Sequence, residues 1–99
     1  GQPLMANDMC DYLRDNIMVW RKINGDEATA RANMGIPTVA CQRGDHHGHI
    51  AFVYPQKQAF SPSWNKWVPM LNNIGKKNAI MRSSQCFRTE PDYYSIKAA

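Results

Sequence analysis

The chain has no apolar run approaching the ~20 residues that a membrane-spanning helix needs, so no membrane segment is expected. It has no Cys-x-x-Cys pair. The three cysteines, Cys10, Cys41 and Cys86, stand far apart, which argues against a structural zinc cluster. Their odd number leaves at least one thiol without a partner inside the chain, and the redox compartment stays open. There is no internal repeat and no low-complexity tract. An arginine-rich block and a ribonucleoprotein signature are also missing, so nucleic acid is not the expected partner. Histidine is scarce too. The chain has only three, His46, His47 and His49, and they stand together.

What is present fits one domain spanning residues 1–99, long enough for a modest core. Hydrophobic residues make up 43%, as in globular chains, and the net charge is +4 with a pI of about 9.2. Lys57, Lys66, Lys76, Lys77, Arg82, Arg88 and Lys97 concentrate the positive charge in the second half. Such a surface is either simply solvated or attractive to an anionic partner: a cell-wall polymer, nucleic acid or an acidic protein. The letters show no signal-peptide pattern. With glycine rather than methionine first, the expectation is a processed precursor, a proteolytic fragment or a tag remnant.

Periodicity supplies the elements. Ala6, Met9, Cys10, Leu13 and Ile17 fall at helical spacing and predict a helix over about 5–17, with Asn7 or Asp8 at its start and Cys10 as a small buried hydrophobe. Residues 18–23 read as extended. Asn24-Gly25 marks a turn, and Asp26, Glu27 and the alanines that follow predict a helix over 26–34. Gly35 suits the left-handed end of that helix, and Pro37 prevents its continuation. Two strands follow, 37–42 and 49–54, joined by the polar turn "RGDHHG" as an antiparallel hairpin. Residues 56–64 form a loop. Residues 66–73 are irregular or an edge strand, because Pro69 lacks an amide hydrogen. Residues 78–87, with Cys86, and 92–98 are two further strands. Helices first and strands after give an α+β layout, with helices against one side of a small antiparallel sheet.

The histidine cluster carries the chemistry, and three readings compete. His47 and His49, two apart on a strand, point the same way and with Asp45 could reach one metal ion, but nothing else in the chain completes a ligand set. Alternatively His49 is a catalytic base. It stands at the first position of an apolar strand, after a glycine, Gly48, that permits close approach of a substrate or backbone. Imidazole titrates near neutrality, so it can take a proton from a thiol and return it to a leaving amine. In the third reading the turn is solvated and does nothing.

A resemblance bears on this choice. The ordered set "ANDMCDYL", "VWRKI", "DEATARANMGIPTVA" and "GHIAFV", from about Ala6 to Pro55, resembles the papain-like cysteine amidases that cut peptidoglycan. The type VI secretion amidase effectors are the nearest likeness, with the CHAP-type cell-wall hydrolases related. The resemblance implies a papain-like fold and cysteine-dependent amide hydrolysis without a cofactor or metal. It implies a protein secreted or delivered to the periplasm or cell wall, with an immunity protein as partner. It makes His49 the general base and Gly48 its preceding glycine. Asn7, Met9, Asp11 and Leu13 match the helix that braces the site. His46 and His47 have no counterpart. "NNIGKKN" and "DYY" are looser matches.

One element of the pattern is missing. The family's nucleophilic cysteine lies on a helix upstream of the A-N-x-M helix, and no residue here matches it. The expectation is a carboxy-terminal portion of such an amidase, incomplete without an N-terminal helix that a separate segment or second chain supplies. Two other readings stand beside it: a non-catalytic binding module of the same fold, or Cys41 as a substitute nucleophile. A third polar group usually orients the histidine; Asn72, Asn73 and the main chain near Val68 lie on the next strand, and Asn72 is the expected one. Trp64 and Trp67 flank the loop after the histidine strand and are expected to line a groove for peptide or sugar.

Overall fold

Ten residues from Ala6 to Asp15 form the first helix, α1. A computed structural model describes residues 5–45, 47–73 and 79–97. The helix buries only Cys10 and Leu13. Ile17, expected on its apolar stripe, lies beyond the helix end and is 65% exposed. Neither Asn7 nor Asp8 caps it. The N-cap is Met5, without a side-chain bond, and Asn7 is inside the first turn with its side chain directed elsewhere.

Strand β1 (Trp20–Ile23) leads into α2 (Gly25–Asn33). Asn24 Oδ1 accepts the Glu27 amide at 2.8 Å, which satisfies one of the free donors of the first turn. Ala28 and Ala32 face the core because they are one helical turn apart. Gly35 has φ 81°, the left-handed conformation that closes a helix and that glycine adopts without strain.

The remaining elements are β2 (Thr38–Gln42), β3 (His49–Val53), β4 (Ala59–Ser61), β5 (Lys66–Val68), β6 (Met70–Asn73), β7 (Ala79–Arg82), the single-turn helix α3 (Ser83–Cys86) and β8 (Asp92–Ile96). Among the described residues the fold is α+β: three helices, a six-stranded antiparallel sheet ordered β1-β8-β2-β3-β6-β7, and a separate β4–β5 hairpin. The strands β2 and β3 do form the expected antiparallel hairpin.

Three local expectations need correction. Residues 66–73 are two strands in two different sheets. Pro69, between them, donates no amide bond and is where the chain changes sheet. Residues 78–87 are not one strand. The chain turns at Arg82 into α3, and Gln85 Oε1 accepts the Arg82 amide at 2.9 Å, so Cys86 sits on a helical turn. The helices also cover both faces of the sheet. Alternation along β2 sends Val39 and Cys41 towards α1, where they meet Cys10, Leu13 and Tyr94. The intervening Ala40 points to the opposite face, with Ala28, Ala32, Ala51, Val53, Leu71, Phe87 and Tyr93. Strands β2 and β8 are therefore buried on both sides.

Two sets of polar contacts anchor the periphery. Ser61 donates to Ser84 Oγ at 2.7 Å, and the Ser83 and Tyr93 hydroxyls share a hydrogen bond at 2.8 Å. They tie the β4–β5 hairpin and α3 to the sheet. A disulfide between Cys10 and Cys41 fastens α1 to β2. Cys86 is a free thiol.

Candidate active site around His49

The β2–β3 turn seats His49, and α1 holds that turn. The Asn7 side chain grips Gly44 in both directions: Nδ2 donates to the Gly44 carbonyl at 3.0 Å, and Oδ1 accepts the Gly44 amide at 3.0 Å. Arg43 Nη1 adds bonds to Asp11 Oδ1 at 2.6 Å and to the Asn7 carbonyl at 3.2 Å. Gly48 lies flat against this helix end. A Cβ there would overlap Asn7 Oδ1 and sit 2.9 Å from the Gln42 carbonyl oxygen. Glycine is thus required by close approach, as sequence reasoning anticipated, though what approaches is α1 and β2.

His49 opens β3 opposite Gln42. Its half-buried ring meets Phe87 at a centroid distance of 5.0 Å, tilted 55°. Strand alternation puts His49 on one face with Ala51 and Val53. Val53 pairs with Leu71, so Leu71 and Asn73 share that face. Asn72 pairs with Phe52 and points to the other side of the sheet, away from His49. The choice of Asn72 as the orienting group is therefore corrected, since a one-residue step along a strand reverses the side chain. Asn73 has the right orientation. Its Oδ1 is buried and, among the described residues, accepts no hydrogen bond. A buried acceptor without a partner costs on the order of 1–3 kcal/mol, so this amide is poised to accept a proton donor. Sequence reasoning named Asn73 beside Asn72 but favoured the wrong one, and it missed Phe87, because both depend on register and tertiary packing.

None of the cysteines offers an activated nucleophile. Cys10 and Cys41 are consumed in the disulfide, which removes Cys41 from the candidates. The Cys86 thiol is pushed up to about 11 by burial, so it is protonated at neutral pH. No group of three metal-capable side chains converges among the described residues. His46, Gly75 and most of "NNIGKKN" lie outside them.

The other expected binding residues separate. Gly48 lines a cavity of about 310 Å³ together with Asn7, Asp8, Arg43 and His47. Trp67 lines a second, of about 200 Å³, against the start of α2. Trp64 is half-buried against the core, and its Nε1 donates to the Arg88 carbonyl at 3.3 Å. A third recess, about 210 Å³ and mostly apolar, lies between Met9, Ile50 and Phe52. His49 lines none of these three. Compared with known proteins, the chain matches no family model and no curated protein.

Proposed function

We propose that this chain is the histidine-bearing part of a papain-like cysteine amidase that hydrolyses amide bonds in peptidoglycan peptides, of the kind used as type VI secretion effectors and CHAP-type hydrolases. The observation that carries the reading is the seat of His49. It stands at the head of an interior strand, fixed by the Asn7–Gly44 clamp, half-buried against Phe87, with Asn73 on the same face. Fixed backbone and restricted rotamers are what a general base requires.

In this proposal the sulfur comes from a segment or second chain outside these residues, since the cysteines here are bridged or strongly protonated. The imidazole takes the thiol proton as the sulfur attacks the amide carbon. It gives that proton to the leaving amine as the C–N bond breaks. A water then attacks the thioester, His49 removes its proton, and the thiol is restored. Asn73, on the same sheet face with an acceptor oxygen that has no partner among the described residues, is the group that would take the other ring N–H in the active complex and set the tautomer, a positioning role. The net charge of +4 favours anionic cell wall, and the disulfide fits an oxidising compartment such as the periplasm. An immunity protein is the partner expected of such an effector.

The test is digestion of purified sacculi by the chain combined with its nucleophile-bearing polypeptide, with products resolved by mass. His49→Ala is expected to lower turnover by about 10²–10⁴-fold with the circular dichroism spectrum unchanged. Full activity in that variant removes His49 from the mechanism. A second reading, a binding module without turnover, draws on the absence of an activated thiol among the described residues. It predicts retention on murein with no new products in any combination.

A further inference from the structure

We propose that the end of the molecule opposite His49 docks on an anionic lipid bilayer, with the turns that follow α1 and α2 entering the interface. Turns are built mostly from Gly, Pro, Asn, Asp and Ser. In the turn after α1 the central pair is instead Ile17 and Met18. The Val19 and Trp20 amides close it on the Asn16 carbonyl, at 3.0 and 2.9 Å. The backbone is thus fixed while the side chains reach outwards, Ile17 65% exposed, Met18 84% and Val19 45%. Met34, which ends α2, is 74% exposed.

These residues share one end of the sheet. Strand β8 leaves between the two turns: the Lys97 amide donates to the Val19 carbonyl at 2.9 Å, and the Ile96 amide to the Pro37 carbonyl at 3.1 Å. The turns are therefore about two strand spacings apart, roughly 10 Å. Helix α1 lies on one face and α2 on the other, so their tips bracket the sheet end. None of the three cavities described above is lined by these side chains, and a surface without a recess does not suit a small ligand. Single exposed apolar residues need no explanation, but four on two neighbouring turns form a patch.

Charge identifies the partner. Arg31 stands in the last turn of α2. Lys57 follows Gln56, whose carbonyl accepts from Asn33 at 3.2 Å, and Lys97 follows β8. None of these three cations forms an ion pair among the described residues. The carboxylate at this end, Asp15, is bonded to Arg14 at 2.8 Å. Asp26 and Glu27 in the first turn of α2, Asp45 in the β2–β3 turn and Asp92 at the start of β8 lie at the other end, with His49. Helix dipoles account for Asp26, Glu27 and Arg31, but not for Lys57 and Lys97. Apolar tips rimmed by unpaired cations match a bilayer interface, with acyl chains beneath and phosphates around them. Docked in this way, the chain turns its His49 end away from the lipid. The proposal does not rest on the amidase reading.

The test is flotation of the oxidised chain with vesicles of phosphatidylcholine, alone or mixed with phosphatidylglycerol. Binding is expected only with the anionic lipid, and should fall as salt rises. The double variant Ile17→Ser, Met18→Ser should weaken it about tenfold or more, and Lys57→Gln and Lys97→Gln about fivefold each. All four side chains are exposed, so these variants should keep the parent melting curve. In nanodiscs with a nitroxide-labelled headgroup, the methyl resonances of Met18 and Met34 should broaden, whereas Met5, near Gly48 at the His49 end, should not. Failure to bind anionic vesicles, equal binding to neutral ones, undiminished binding by the double variant or equal broadening of Met5 overturns the proposal. So does lipid-free self-association that the double variant abolishes, which would make the patch a contact between copies. None of these readouts needs hydrolysis, so their failure is distinct from an inactive His49 assay.

Discussion

Replacing Gly48 with alanine tests the seat of His49 directly, because two opposing effects give opposite signs. Away from any contact, Gly→Ala stabilises a fold by about 0.4–1 kcal/mol by narrowing the unfolded ensemble. Here the added Cβ would overlap Asn7 Oδ1, lie 2.9 Å from the Gln42 carbonyl oxygen and 3.1 Å from the Asn7 amide nitrogen. Two of these three neighbours are backbone, so rotating one side chain does not relieve the clash. Overpacking of this kind costs about 1–3 kcal/mol, and the steric term wins. At about 4–8 °C per kcal/mol for a domain of this size, the melting temperature should fall by roughly 4–24 °C. Thermal unfolding followed by circular dichroism, with the disulfide intact, measures this. Asn7→Ala removes the overlapping oxygen, so in that background the penalty of Gly48→Ala should shrink without vanishing. A neutral or stabilised Gly48→Ala protein would show that α1 does not press on the turn, and the reasoning about a braced histidine would fail.

Other consequences are accessible to simple measurements. Before reduction, alkylation and mass analysis should modify one cysteine, Cys86, and after reduction all three. Breaking the bridge, which spans 31 residues, should cost on the order of 3–4 kcal/mol in unfolding free energy by the loop-entropy estimate; an unchanged urea midpoint would contradict it. Burial raises the Cys86 thiol from 9.0 to about 11 and the Tyr93 phenol from 10.0 to about 12. The folded state thus holds these protons more tightly than the unfolded chain. Their stabilisation is complete below pH 9 and is lost as pH climbs through 11 and 12. Urea midpoints should fall over that window, and less steeply in Tyr93→Phe. In the active complex Asn73→Ala should lower kcat about tenfold or more and displace the pH profile, while Asn72→Ala should leave both unchanged. Equal effects would undo the assignment of faces.

The parts of the fold set by local chemistry were legible in the letters. Asn24, Gly35 and Pro37 bound α2 because capping and left-handed turns are properties of single residues. The strand that begins at His49 was legible from its β-branched and aromatic run. Facts that depend on partners distant in sequence were not. Asn72 and Asn73 are indistinguishable until Val53 is known to face Leu71. Cys10 and Cys41 read as separate apolar positions until α1 is laid on β2. Asn7 looked like a cap and instead clamps a turn 37 residues away. The break at Arg82 escaped notice because "NAIMRSSQCF" carries enough β-formers to look continuous, whereas packing of Ser83 against Tyr93 turns the chain.

The position of β8 has a consequence for biosynthesis. It is the latest strand in sequence, yet it lies between β1 and β2, and Tyr93 and Tyr94 plug the two opposite faces. Until that segment leaves the ribosome, β1 and β2 have no neighbour between them and both layers lack a central filler. The nascent segment from β1 onward would therefore stay open and sticky until β8 is made, a natural client for a holdase, and would close only once that strand is inserted.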